Sequence, residues 1–296
     1  MSLGGVIGLA ITLEMVRLLI DQQFPAWQHL SITPVEPEGH DNCTYRLGND
    51  MVIRLPSHER YAAAVIKERA WLPVFAKNVA LRVPIPIAQG EPSDVFPLPW
   101  SVNRWIEGET LTTANIGSMQ ELADDLALFL QELQAVTTCG GVLAGEHNFY
   151  RGGDLRVYDE ETNAAIGECL LPQDKEKMRD IWNKARSAHY AGAPVWVHGD
   201  VAVGNLIVRN SKLYGVIDFG SCGVGDPACD LVMAWNFFDA ESRRVFLRAM
   251  AADAGMIARA RGWALWKALI TISDASATDE QRAWAERTVL VLLDEA

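Results

Sequence analysis

No two cysteines of this chain stand in a Cys-x-x-Cys pair, and the five present (Cys43, Cys139, Cys169, Cys222, Cys229) are odd in number. This argues against a disulfide framework or a thiolate zinc site and reads as reduced thiols in a cytoplasmic protein. Positive charge is short as well. The 26 Lys and Arg against 38 Asp and Glu leave a net charge of −12, which argues against a nucleic-acid partner. The early apolar run "GGVIGLAITL" ends at Glu14, with Arg17 close behind, and has no basic leader. Neither a transmembrane helix nor a signal peptide is expected from it, and no membrane partner. Lysine is absent before Lys67, and no internal repeat or low-complexity tract occurs.

What is present is a hydrophobic fraction of 49% over 296 residues, enough for a sizeable core and more than one small core usually takes, so two lobes are expected. Residues 12–22 read as an amphipathic helix capped by Thr12. "LSITPV", "CTYRLG" and "MVIRL" read as strands, the last two joined at Asn49-Asp50. Ser57 is placed as the cap of a helix running to about Leu72. "LRVPIPIAQG" and "FPLPWSVNRWIEGE" are extended segments punctuated by proline. Beyond Gly108 the pattern turns helical. Ser118 and Glu121 suggest a capping box before a stripe of Leu122, Leu126, Phe129 and Leu133. The boundary is set there: a first lobe over 1–107 and a second over 108–296, an α+β chain with a β-rich start and a helical remainder.

The chemistry concentrates in "VHGDVAVGN" and the "LIVRNSKLYGVIDFG" that follows. "VWVHG" is a strand with Asp200 just past its end. "NLIV" and "LYGVI" form a hairpin turning near Asn210-Ser211, which sets Asn205, at its start, beside Asp218, at its finish. Asp200, Asn205 and Asp218 present carboxylate and amide oxygens, the donor set of a hard cation such as Mg2+ that keeps waters and shares phosphate ligands. A single Asp of this kind is an ordinary turn residue; three at this spacing are not.

"HGDVAVGN" followed by "VIDFG" and "GVGDPACDL" resembles the catalytic and metal-binding segments of the aminoglycoside phosphotransferase family, in the branch that includes macrolide phosphotransferases. The resemblance implies a protein-kinase-like fold of two lobes, with a small β-rich nucleotide-binding lobe and a larger, mainly helical catalytic and substrate lobe. It implies transfer of the γ-phosphoryl group of ATP or GTP to a small-molecule hydroxyl, an aminoglycoside- or macrolide-type antibiotic being the simplest acceptor. Asp200 becomes the catalytic base, Asn205 and Asp218 the Mg2+ ligands, and "PWSVNRWIEGE" the connector between lobes, whose backbone over 103–106, with Asn103 and Trp105, meets the purine. His198 is read as a brace for the loop. Asp226 reads as a helix cap ahead of Pro227, and Asp230 as a tie back to the loop.

The first lobe departs from the protein-kinase pattern. Its candidate phosphate loop "EGHDNCTYRLG" has only Gly39 and Gly48, and Arg54 stands where a lysine is expected. A guanidinium is chemically suited to phosphate. Tyr61, Val65, Glu68 and Leu72 share one helical stripe, so Glu68 faces the sheet and needs a cation. Arg54 is the natural partner and Arg46 the rival.

Three readings stay open on residues alone: an antibiotic kinase; a metabolic kinase for a sugar, amino alcohol or amino acid; and a nucleotide-binding pseudokinase, favoured by the missing lysine. The negative net charge and Asp200 point to a cationic acceptor, and the chain to a monomer or homodimer. Trp235, Phe237 and Phe238 are either acceptor-pocket lining or core. The stretch over 138–167 has no derived role.

Overall fold

The computed structural model describes residues 11–36, 41–168 and 172–295. Residues 4–10 of the early apolar run, Gly39 and Cys169 lie outside them. The described residues form an α+β chain in two compact units. One holds residues up to Asn78, Arg82–Glu107 and Val216–Gly220; the other holds Val79–Leu81, Gly108–Gly215 and Ser221 onward.

The first unit is built on α1 (Leu13–Gln23) and a five-stranded antiparallel sheet of β1 (Ile32–Pro34), β2 (Asn42–Leu47), β3 (Met51–Pro56), β4 (Pro86–Gly90) and β5 (Trp100–Arg104), in the order β1-β2-β3-β5-β4. Thr12 caps α1 by accepting from the Met15 amide at 3.2 Å. Strand alternation sends Tyr45, Leu47, Ile53, Leu55, Trp100 and Val102 to one face, where they bury against Val16, Leu19 and Ile20 of α1. The opposite face therefore carries Arg54, Ser101 and Asn103. Prolines are tolerated in β4 because it is an edge strand, and its pairing with β5 is irregular between Pro86 and Ala88.

Helix α2 (Ala62–Asn78) packs on that opposite face. Its entry differs from the expectation. His58, not Ser57, caps the preceding turn, its Nδ1 accepting from the Arg60 amide at 3.0 Å. The helix also passes Pro73 and runs on to Asn78, because buried Leu72 and Phe75 flank the proline and hold the last turn in place.

The second unit opens with β6 (Glu109–Thr110) and α3 (Met119–Gln134), whose Leu122, Leu126, Phe129 and Leu133 are all fully buried. Ser118 caps α3 from the Glu121 amide at 3.2 Å. Then come α4 (Asp159–Glu168), α5 (Pro172–Ser187), β7 (Val195–Val197), β8 (Leu206–Arg209), β9 (Lys212–Val216), β10 (Gly223–Gly225), α6 (Met233–Asn236), α7 (Ala240–Ala249), α8 (Ala254–Ser273) and α9 (Asp279–Asp294). The β8–β9 turn falls on Asn210 and Ser211, both with positive φ, the primed geometry that suits hairpin twist. Strand β7 pairs with β10 and delivers the chain to Asp200. No helix of the described residues is long and apolar enough to cross a membrane.

Candidate active site

In the first unit, the alternation of β3 and the stripe of α2 converge on one ion cluster. Arg54 Nη1 donates to both carboxylate oxygens of Glu68 at 3.0 Å, and its Nη2 donates to Asp218 Oδ1 at 2.7 Å. The side chains are 12% exposed for Arg54 and 6% for Glu68. Burial works against the charged guanidinium, yet the carboxylates of Glu68 and Asp218 outweigh it and hold the Arg54 pKa above its ordinary value. Arg46, the rival partner, is engaged with Glu107 at 2.6 Å and lies over the Trp105 ring at 4.4 Å.

Asp218 leaves β9 with φ +66, in the left-handed region that Asp enters more readily than most residues. One of its oxygens is held by Arg54, and among the described residues Oδ2 carries no hydrogen bond.

The hinge residues divide. The Trp105 amide is spent on the Asp50 carbonyl at 2.8 Å, and the Arg104 amide on the Ile85 carbonyl at 2.8 Å. The Trp105 N–H is thus occupied by the β2–β3 turn and one face of its ring by Arg46. Asn103 differs. It is 1% exposed, and among the described residues neither atom of its amide has a hydrogen-bond partner, nor has Ser101 Oγ. Both residues line a cavity of about 220 Å3 with Glu68 and Gln89.

In the second unit the loop after β7 holds Asp200. Gly199 has φ +82, which brings its backbone against the Ser221 carbonyl. Asp230 accepts from the amides of His198 and Gly199, both at 2.8 Å, the tie expected of it. His198 is fully buried and its Nδ1 accepts from the Asp200 amide at 3.2 Å, so it braces the loop. Asn205 Nδ2 donates to the Asp200 carbonyl at 2.9 Å and to Asp200 Oδ2 at 3.1 Å. That fixes the amide orientation and, among the described residues, leaves Oδ1 unbonded.

Sequence reasoning missed the partner of the other Asp200 oxygen: Lys267 Nζ, on α8, lies 2.5 Å from Oδ1. A signal existed, since Lys267 is the sole lysine after Lys212 and sits in the apolar stretch "GWALWKALI". Burial raises the Asp200 pKa, but Lys267, then Arg151 and His198, outweigh it and hold the carboxyl well below the usual carboxylate range. Arg151 comes from the stretch that had no derived role. Residues 149 and 150 adopt positive φ, and the Arg151 guanidinium stacks over Trp266 at 4.3 Å. Asp200 thus contributes no bare negative charge, which removes one of the two grounds for expecting a cationic acceptor.

Asp226 accepts from the Ala228 amide at 3.1 Å, as a cap ahead of Pro227, and from Arg259 Nε at 2.6 Å, in a buried pair. The aromatic run resolves as core. Trp235 and Phe238 are buried and Phe237 stacks on Trp284 at 6.0 Å. Among the described residues Cys43, Cys139, Cys222 and Cys229 form no disulfide.

The structure thus brings Arg54, Glu68 and Asp218 together in one unit, and Asp200, Asn205 and Lys267 together in the other. Residues 31–269 match the model of the phosphotransferase enzyme family. The chain belongs to that family. It is 27% identical over 154 residues to an aminoglycoside 3'-phosphotransferase of Escherichia coli, covering 46% of this chain and 52% of that one. The chain spans about half the length of the curated relatives it matches. Its fold is that of the GDP and kanamycin complex of the aminoglycoside phosphotransferase APH(2'')-IIIa, with a TM-score of 0.73 at 20% identity over 95% of this chain and 97% of that chain. A macrolide 2'-phosphotransferase type I gives 0.63 at 18% identity, over 97% and 99%. The kinase-like α+β fold expected from the family's motifs is the fold observed.

Proposed function

We propose that this member of the family moves the γ-phosphoryl group of ATP or GTP to a hydroxyl of a small molecule of the aminoglycoside or macrolide type, in the cytoplasm. The observation that carries the reading is the Asp200–Asn205 pair, a carboxylate and an amide locked together at 3.1 Å with the amide oxygen left over. A scaffold that only bound nucleotide would need neither.

Asp200 orients the acceptor hydroxyl and takes its proton. A carboxylate held below its ordinary pKa is a weak base. That suits a transfer in which cleavage of the bond to the leaving diphosphate runs ahead and the proton leaves the hydroxyl late. Arg54 binds phosphate oxygens, with Glu68 fixing its direction. The unpaired amide of Asn103 supports a place for that residue near the nucleotide.

Asn205, through Oδ1, and Asp218, through Oδ2, are the residues that would hold Mg2+. Both oxygens are hard and, among the described residues, unbonded, and two protein ligands suit an ion that keeps waters and takes phosphate oxygens. Among the described residues no group of three or more His, Cys, Asp and Glu offers an alternative metal cage. Bound magnesium neutralises charge on the phosphates.

The test is turnover of MgATP and MgGTP by wild type and Asp200→Asn against kanamycin, gentamicin, streptomycin, a macrolide, and a panel of sugars and amino alcohols. Phosphorylation of an antibiotic that collapses in Asp200→Asn supports the reading. Turnover confined to the metabolites transfers it to a metabolic kinase, and no turnover with intact nucleotide binding favours the pseudokinase.

A further inference from the structure

We propose that Lys267 is a positioning residue for this phosphoryl transfer: from helix α8 it fixes the Asp200 carboxylate and supplies the positive charge that offsets the phosphoryl group arriving beside it. The inference rests on the phosphotransferase reading and adds a residue outside the motif segments.

Four observations carry it. First, Nζ of Lys267 lies 2.5 Å from Asp200 Oδ1 while Asn205 Nδ2 lies 3.1 Å from Oδ2. Two donors on two oxygens set the plane of the carboxylate, and neither alone does so. Second, an ammonium has three N–H groups, and among the described residues its side chain meets one acceptor, Asp200. Two donors remain for an anion. Third, the loop cannot supply this charge itself, because Val201, Ala202, Val203 and Gly204 separate Asp200 from Asn205. Fourth, the lysine sits on a rigid support. Its helix neighbours Trp263, Ala264, Leu265, Trp266 and Ala268 are buried, and the side chain keeps 31% of its surface exposed.

The chemistry requires such a charge. In the transfer the acceptor O–H bond breaks and its proton passes to Asp200. The acceptor oxygen bonds to phosphorus as the bond from phosphorus to the nucleoside diphosphate breaks and that diphosphate leaves with the electron pair. Asp200 and the phosphoryl oxygens then approach the same acceptor oxygen, and without a cation beside the carboxylate they repel across it. Arg151, stacked on Trp266 of the same helix, reinforces the field but among the described residues has no direct bond to Asp200.

The test uses the full chain as Lys267→Met and Lys267→Arg. Binding of MgADP is measured by calorimetry with and without aluminium fluoride, which mimics the phosphoryl group in flight. Wild type should bind MgADP more tightly with the fluoride present. Lys267→Met should keep its MgADP affinity and melting temperature but lose that tightening. With kanamycin as acceptor it should lose kcat on the order of a hundredfold, with KM little moved, the scale of removing one preorganised donor. Lys267→Arg, which keeps the charge, should recover part of both. Retained tightening in Lys267→Met, or a KM change with kcat intact, overturns the proposal. If wild type binds no MgADP at all, the phosphotransferase reading falls and takes the proposal with it, a different signature from failure of Lys267 alone.

Discussion

Arg54 and Asp218, 164 positions apart in sequence, are joined by a 2.7 Å hydrogen bond from Nη2 to Oδ1. The same guanidinium holds Glu68 with its other nitrogen, so one cation serves the strand, the helix and the segment after β9. A lysine, a single point charge, does not span two carboxylates in fixed directions. This accounts for arginine where a kinase-like pattern leads one to expect lysine.

Removal of that cation should therefore cost more than nucleotide contact. Arg54→Ala leaves Glu68 buried and unpaired, and breaking a buried pair from one side costs about 3–5 kcal/mol. Urea unfolding should show a loss of that order. Adding Glu68→Gln to Arg54→Ala should restore part of it, since two coupled residues do not give additive losses. Additive losses would mean the two side chains do not act as a pair.

Much of this was legible in the sequence because it rests on periodicity. The Glu68 stripe demanded a cation, and strand alternation left Arg54 on the same face. The turn at Asn210-Ser211, the Thr12 cap and the Asp226-Pro227 cap follow from local backbone chemistry alone. Lys267 stands out as a lone lysine in an apolar helix, but its pairing with Asp200 and the approach of Arg151 were not legible, because α8 and the 149–152 loop meet the catalytic loop through tertiary packing that no spacing encodes. The bond from the Trp105 amide to the turn before β3 was hidden for a related reason, since sequence does not announce such a contact.

The two oxygen ligands should differ in weight. Asp218→Ala removes an anion from the dication's shell, whereas Asn205→Ala removes a neutral dipole, so calorimetry of nucleotide binding with and without Mg2+ should show the larger loss for Asp218→Ala. Asp218→Asn separates the charge from the geometry and should fall between them. Metal-independent binding that is equal in all three proteins would remove both residues from the metal site.

An acid-side dependence should arise at helix α7. Asp239 caps it by accepting from the Ser242 amide at 2.8 Å, and that bond holds the Asp239 carboxyl below its ordinary value. A depressed pKa stabilises the fold above the unfolded value, about 3.9, and the contribution is lost as pH falls through the folded one. Asp239→Ala should cost about 1 kcal/mol at neutral pH. Asp239→Asn, an equally good cap, should cost little there and show a weaker loss of stability on acidification. A melting-temperature series from pH 7 to pH 3 for the three proteins reads this directly.

Gly199 decides where Asp200 stands. Its φ is +82, and a Cβ added there would lie 2.2 Å from the Ser221 carbonyl oxygen and 3.0 Å from Arg151 Cβ. The first of these is backbone and cannot rotate away, so Gly199→Ala must shift the loop as well as adopt a conformation that costs an alanine about 1–2 kcal/mol. The amides of residues 198 and 199 are both anchored on Asp230, so the shift is expected to pass forward into Asp200 rather than back into β7. A displacement of about 1 Å in a group that must align a hydroxyl costs on the order of a hundredfold in rate. The expected outcome is a sharp fall in kcat, a modestly lower melting temperature, and nucleotide affinity near wild type, because Arg54 and Asp218 belong to the other compact unit. An alanine variant with wild-type kcat would show that the loop tolerates a different path, and that Lys267 and Asn205 alone are enough to set the carboxylate.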